Sequence, residues 1–267
     1  MKKIGLFLLL GVSLSWLVSA CQGRQLEVRK EVPLDSIVLS DPCILADRKT
    51  AMYYMTGTGG MLWKSKDLKL WEGPFHVAKT DSNSWMGPDP MVWAAELHPY
   101  KGKYYYFATF TNQAVKIDTV QGNVIERRAS HVLVSDKPDG PYVPMKDSTY
   151  LPADKPTLDG TFWVDKDGKP YMVYCYEWLQ ALDGTIEKIE LKPDLSGTIG
   201  EGKLLFRASE SPWSREKDVD GKDKPNKVTD GPYLFRTGTG RLGMIWTSWI
   251  YNVYTQGVAY SESGTLD

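Results

Sequence analysis

The chain has 267 residues, 42% hydrophobic and 12% aromatic, which is enough to bury a substantial core in one all-β domain. Its 32 Lys and Arg face 33 Asp and Glu, a formal net charge of -1, so it has no basic excess to neutralise a nucleic-acid backbone. There is no CxxC or HExxH and there are just three His, a pattern that argues against a transition-metal site.

Residues 1–20 read as a processing signal. Lys2 and Lys3 precede an apolar run from Ile4 to Val18 that is short for a membrane span. Val18-Ser19-Ala20-Cys21 resembles the lipobox of a bacterial lipoprotein, in which cleavage leaves Cys21 at the new N-terminus for lipidation. An ordinary secretory peptide or a signal anchor is the alternative. The expected location is the bacterial cell envelope, periplasmic or cell-surface, with the membrane reached only through that lipid. Residues 21–35 read as a polar tether and 36–267 as the folded domain. Cys43 and Cys175 give no disulfide framework and read as buried apolar side chains.

Beyond the tether, short aromatic strands alternate with turn residues. Asp41 to Ala46 and Ala51 to Thr56 flank a turn at Asp47 to Thr50, and LWKSKDLKLWEGPF supplies outer strands around Lys66-Asp67. A second unit has its turn at Lys101 to Lys103, a returning strand in YYYFATF and an outer strand in HVLVSDKPDGPYV. FWVD and PYMVYCYEW flank Lys166 to Lys169 in a third. YLFRT and LGMIWTSW flank Gly238 to Gly240 in a fourth, followed by GVAYSES. Two stretches fall outside this scheme: Gln113 to Arg128, read as an insertion, and the charged segment Ala208 to Val228. Each is a solvated connection or a rim over the site.

An acidic residue opens each unit: Asp41, Glu96, Asp159 and Asp230, at intervals of 55, 63 and 71 residues. A strand-pair repeat of this length is the signature of a β-propeller, whose equivalent positions ring one axis. The acids are therefore expected to meet at one mouth. Because the repeat pattern stops inside a fourth unit, the chain is expected to carry about four blades of a five-bladed fold, with the C-terminal blade missing.

DPCI at Asp41, WAAELH with YKGKYYYFAT, DGTFWVDKDGKPYMVY at Asp159 and DGPYLFRT at Asp230 together resemble glycoside hydrolase family 43. The resemblance implies a five-bladed propeller that hydrolyses arabinose- or xylose-containing plant glycans with inversion. It makes Asp41 the general base and Asp159 the group that tunes and orients the general acid. The family's acid is a Glu before Gly-Pro, whereas this chain has Asp230. Losing one methylene withdraws the carboxyl by about 1.5 Å. Either Asp230 has shifted inward, or another acid such as Glu177 has its role, or the protein is a catalytically impaired carbohydrate-binding propeller.

Each acid also has a plain reading as a turn residue, and Glu177 one as a rim carboxylate bonded to a sugar or a Lys. Trp93, Trp178 and Trp249, with Glu96 and Glu177, are the candidate substrate-binding residues, since sugar C–H faces stack on indole. Trp63, Trp71, Trp163 and Trp246 read as core. His98 reads as packed and His76 and His131 as outer-strand surface. The expected partner is an oligosaccharide or polysaccharide, and the chain is expected to act as a monomer. No cofactor or metal is required; the resemblance allows an axial calcium ion, which this chain does not itself indicate.

Overall fold

The computed structural model describes residues 31–217, 220–224 and 227–266, so the signal segment and Cys21 lie outside the described residues. Its strands form four sheets, and every pairing between strands is antiparallel. The first contains β1 (Glu31–Pro33), β2 (Cys43–Asp47), β3 (Met52–Thr56), β4 (Met61–Ser65) and β5 (Leu70–His76). Its edge strand β1 pairs with β5 and lies within the stretch expected as a tether. The second contains β6 (Met91–Tyr100), β7 (Lys103–Val120), β8 (Asn123–Ser135) and β9 (Val143–Pro144). The third contains β10 (Thr157–Val164), β11 (Pro170–Tyr176), β12 (Thr185–Leu191) and β13 (Thr198–Arg207). The fourth contains β14 (Asp230–Arg236), β15 (Leu242–Ile250) and β16 (Val253–Tyr260). Each sheet packs on the next, giving the four blades of an all-β propeller.

The apolar run in β7 explains the stacking. A strand sends alternate side chains to opposite faces. Tyr104, Tyr106, Ala108 and Phe110 enter the core shared with the first sheet, beside Tyr54 and Leu62. Tyr105 and Phe107 enter the core shared with the third, beside Met172, Tyr174 and Ile189. In β11 the pattern repeats: Met172 and Tyr174 face back, while Val173 and Cys175 face the fourth sheet with Leu234, Met244 and Trp246. A blade covered on both sides thus reads as unbroken hydrophobic sequence. Gly160 permits the close approach of the third blade, because a Cβ there would lie 2.7 Å from Ser130 Cβ.

The stretch Gln113 to Arg128 is not an insertion outside the blades. It continues β7 and β8 to a tight turn at Gln121-Gly122, whose φ values of +50° and +82° suit a two-residue hairpin. The start of the charged segment is also packed. Trp213 lies 4.6 Å from Trp246 between ring centroids, and the Arg215 backbone bonds to Trp249 and Tyr251 at the β15–β16 turn. His131 is not on the surface: it is fully buried among the rings of Trp85, Phe110 and Tyr150, because its strand is sandwiched between blades. His76 is exposed, and His98 packs between Phe107 and Phe162. Both cysteines among the described residues are free, Cys175 buried and Cys43 half-buried. Trp71 and Trp246 are core, whereas Trp63 and Trp163 are half-buried. No helix among the described residues is long and apolar enough to cross a bilayer.

Buried Glu187 accepts hydrogen bonds from Lys155 Nζ on both oxygens, at 2.9 and 2.7 Å, from Tyr174 Oη at 2.8 Å and from Thr185 Oγ1 at 3.1 Å. Glu187→Ala leaves a cation and two hydroxyls without an acceptor in a space that excludes most water. The expected loss is about 3 kcal/mol, since Lys155 keeps some solvent, and urea denaturation measures it.

Candidate active site

The inner strand of each blade is entered through a residue with left-handed backbone: Asp41 (φ +54°), Ala94 (+44°), Asp159 (+53°) and Gly231 (+52°). In the last three blades this residue sits in a break of register, between Trp93 and Glu96, Leu158 and Thr161, and Asp230 and Tyr233. Such bulges re-aim a side chain away from the strand's alternation. The repeating position therefore differs from the spacing of the acids. Ala94 and Gly231 are the true equivalents of Asp41 and Asp159; Glu96 lies two residues beyond the ring and Asp230 one before it. Gly231 leaves the fourth place open, since a Cβ there would meet only Thr247 Oγ1 at 3.9 Å.

Asp41, Asp159 and Asp230 meet in one cleft of about 550 Å³, completed by Gly231, Thr247, Tyr254, Thr255 and Gln256. A second cleft of about 410 Å³ extends from Asp41 and Asp159 past Ala94 to Cys43, Glu96 and Tyr233. Thr58 Oγ1 donates to Asp41 Oδ2 and accepts from Ala94 N at 3.0 Å, tying the first blade to the second. Asp159 N donates to Thr109 Oγ1 at 2.8 Å, and Asp159 Oδ2 accepts from Gly231 N at 2.9 Å. Tyr254 Oη donates to Asp230 Oδ2 at 2.7 Å. Each carboxylate is thus held from a neighbouring strand or blade.

The electrostatics separate these acids from ordinary surface carboxylates. Burial pushes the Asp159 carboxyl upward, and the charges of Asp230, Asp41 and Glu96 push the same way, against the Gly231 N–H. Asp230 is also raised by burial; the Tyr254 hydroxyl opposes this, Glu177 and Asp41 add to it, and Arg128 offsets part. Asp159 and Asp230 do not both ionise freely at neutral pH. One of the two can retain a proton in the cleft they share with Asp41.

Glu96 is bonded to Thr161 Oγ1 and His98 Nε2, both at 2.7 Å, which fixes it between blades. Glu177 is not a rim carboxylate. It is 3% exposed, caps the short helix α1 (Trp178–Ala181) and pairs with Arg128. Burial there follows from its place just after β11, where its N–H bonds back to Pro156 O at 3.0 Å. Trp93 is 36% exposed, with its Nε1 on Thr111 Oγ1 and Arg128 over its ring. The Trp249 ring lies 5.1 Å from that of Tyr254, tilted by 54°, and Trp178 opens α1 half-buried. Among the described residues none of these three tryptophans lines either cleft. Sequence reasoning missed Tyr254, Thr58 and Arg128. Tyr254 carries a readable signal, since it faces Trp249 across the final hairpin.

An axial calcium ion needs six to eight oxygen ligands. Two residues past the ring the chain offers Cys43, Glu96, Thr161 and Tyr233, and Glu96 and Thr161 already bond each other. This donor set does not fit such an ion. Among the described residues no group of three His, Cys, Asp or Glu side chains is placed to hold a metal.

Among solved structures, an endo-arabinase from Bacteroides thetaiotaomicron is 37% identical, with a TM-score of 0.74 over 88% of this chain and 79% of that one. An endo-1,4-beta-xylanase from the same organism is 21% identical, with a TM-score of 0.61 over 84% of this chain and 69% of that one. An exo-1,5-alpha-L-arabinanase from a bovine ruminal metagenomic library is 17% identical, with a TM-score of 0.55 over 84% and 70% of the two chains. The last two speak for the fold alone. No curated protein sequence matches the chain. The model of glycosyl hydrolases family 43 matches residues 31–263, from the first strand to just past β16. With the propeller, its acid-lined mouth and this match in hand, the chain belongs to glycosyl hydrolase family 43.

Proposed function

We propose that the protein is an inverting glycoside hydrolase acting on arabinose-containing plant polysaccharides or oligosaccharides, with xylose-containing glycans second. One observation carries the reading: three carboxylates from three blades line a single cleft, and two of them are held above the ordinary carboxylate range. Inversion requires a base to take a proton from water on one face of the sugar and an acid to protonate the leaving oxygen on the other, ~6.5 to 9.5 Å apart. Asp41 is the base, the role the family resemblance gives it, and it faces the same cleft from just before β2 of the first blade. Asp230 is the acid and Asp159 its tuning neighbour. As water's oxygen bonds to the anomeric carbon, Asp41 takes its proton; the glycosidic C–O bond breaks and Asp230 supplies the proton to the departing oxygen. The endo-arabinase named above favours arabinan over xylan as the first substrate to assay.

Asp230 in place of the family's Glu favours one rival, a sugar-binding propeller without turnover. Incubating the full chain with arabinan, xylan and their oligosaccharides, and following reducing ends and product anomer by NMR, separates the two. Initial release of the inverted anomer supports the hydrolase; calorimetric binding with no product after long incubation supports the binder.

Cys21 is assigned to lipid anchoring on the cell envelope by the small residues before it. Cys21→Ser is expected to move the protein from the membrane to the soluble fraction, and mass spectrometry of the mature N-terminus checks the modification.

A further inference from the structure

We propose that Tyr254 is the positioning residue of the proton donor: its hydroxyl occupies Oδ2 of Asp230, so that the proton delivered to the departing sugar is carried on Oδ1. The proposal rests on Asp230 being that donor. Tyr254 Oη donates to Asp230 Oδ2 at 2.7 Å, and both residues line the cleft of about 550 Å³ that holds Asp41 and Asp159. Among the described residues no hydrogen bond reaches Asp230 Oδ1. The final hairpin sets this contact. Asp230 on β14 pairs with Thr247 on β15, and Thr247 with Gln256 on β16, so Tyr254 stands two residues from that row and shares its face. The phenol reaches back across β15 to the acid. Tyr251 and Asn252, with φ of +47° and +70°, form the two-residue turn that puts Tyr254 opposite Trp249. Arg215 N donates to Trp249 O at 2.8 Å and Tyr251 N to Arg215 O at 2.7 Å, which ties the turn to the charged segment. A slip of one residue would bring Val253 or Thr255 to this place and lose the contact.

A protonated carboxyl carries its proton on one oxygen, and the other accepts. A tyrosine hydroxyl can do either, but a phenol donates more readily because the ring withdraws its lone pairs. Oδ2 is therefore held as the acceptor and the proton is left on Oδ1. When the glycosidic C–O bond breaks, the leaving oxygen takes that proton, and the charge left on Asp230 spreads to Oδ2, where the hydroxyl already donates. The bond strengthens as the proton departs, so it favours the transition state over the ground state. It also restrains a side chain one methylene shorter than the family's Glu, and displacement of a catalytic group by about 1 Å can cost roughly a hundredfold in rate. The other titratable groups acting on Asp230 are Asp41, Asp159, Glu177, Arg128 and the buried Cys175 thiol. Among the described residues, Tyr254 is the one side chain that hydrogen-bonds to it.

Tyr254→Phe tests this in the full chain, since it removes the hydroxyl and keeps a ring against Trp249. On an arabino-oligosaccharide kcat is expected to fall about 10- to 100-fold with KM within about twofold of wild type. On a nitrophenyl arabinofuranoside, whose leaving group departs without a proton, the fall is expected to stay within about threefold. A hydrogen bond to the carboxylate favours the charged form, so its loss raises the acid's pKa. An acid must be protonated to act, and its titration forms the alkaline limb of kcat/KM. That limb, and the 13C titration of the Asp230 carboxyl, should move upward by about one pH unit. Replacing Tyr254 by 3-fluorotyrosine, a stronger donor of the same shape, should move the carboxyl titration downward by about 0.3 unit.

An equal fall on both substrates makes Tyr254 a structural residue, and a raised KM at unchanged kcat makes it a sugar contact; either overturns the proposal, as does a carboxyl titration that Tyr254→Phe leaves in place. If Tyr254→Phe does not fold, the fluorotyrosine protein, which keeps every contact, decides by the direction of its titration. Asp230→Asn separates this proposal from the reading beneath it. If that variant keeps wild-type rates on the oligosaccharide, Asp230 is not the donor and both fail; if it behaves as a lost donor while Tyr254→Phe behaves as wild type, the failure belongs to Tyr254 alone. A wild type that hydrolyses nothing removes the donor and the proposal with it.

Discussion

Asp41→Asn is expected to lower kcat roughly a hundred- to ten-thousand-fold on arabinan and on aryl arabinofuranosides alike. The amide cannot take the proton of the attacking water, and that need is independent of what leaves. Asp230→Asn is expected to cost as much on arabinan but far less on a nitrophenyl arabinofuranoside, whose leaving group departs without a proton. Steady-state kinetics on the two substrate classes therefore assigns the roles. The hydrogen bonds around each acid make Asn a suitable replacement. Thr58 still has an acceptor at position 41, and Tyr254 one at position 230. A loss on both substrates with native circular dichroism is thus chemical, not structural. Equal rates for Asp41→Asn and wild type on arabinan would remove Asp41 from the reaction.

Much of the blade architecture was legible because the middle blades are covered on both faces. YYYFATF and PYMVYCY read as strands from their unbroken apolar character, and the turns at Asp47 to Thr50 and Lys101-Gly102 were marked by residues that bond to or tolerate the turn backbone. The convergence of Asp41, Asp159 and Asp230 followed from the repeat alone. The register within the repeat did not. A bulge inserts one residue without changing composition, so nothing in WAAELH or TDGPY shows that Ala94 and Gly231, not Glu96 and Asp230, match Asp41. His131 was misplaced for a related reason. It sits in an outer-strand motif, HVLVS, yet rings from the segments that join its blade to the blades before and after it, Trp85 and Tyr150, bury it. Burial by a partner distant in sequence leaves no local trace.

The stability of the protein is expected to respond to pH through two opposed groups. His131 has no hydrogen bond of good geometry on either ring nitrogen, and burial, with the Lys146 charge nearby, holds it down to about 3 despite some support from the Lys146 backbone. In the unfolded chain it takes up a proton near pH 6.5, so as pH falls from there toward 3 the unfolded state gains about 1.4 kcal/mol per pH unit. Above pH 6.5 this contribution is flat. Asp159 runs the other way. Its folded carboxyl is raised above the unfolded value of 3.8, so between the two the native state binds the extra proton, and stability falls as pH rises through that window. His131→Phe, which keeps the site apolar among its neighbouring rings, should flatten the acid side of the profile. Asp159→Asn should exceed wild type at pH 8 by roughly 2 kcal/mol, with the gap closing toward pH 4. Urea denaturation of the three proteins from pH 4 to 8 resolves both slopes. An Asp159→Asn protein no more stable than wild type at pH 8 would show that the like-charge cluster carries no strain. A positive result would place the cost of function at the ring itself, where Asp41 and Asp159 accept left-handed backbone that glycine alone adopts freely and one carboxyl holds a proton it would lose in water.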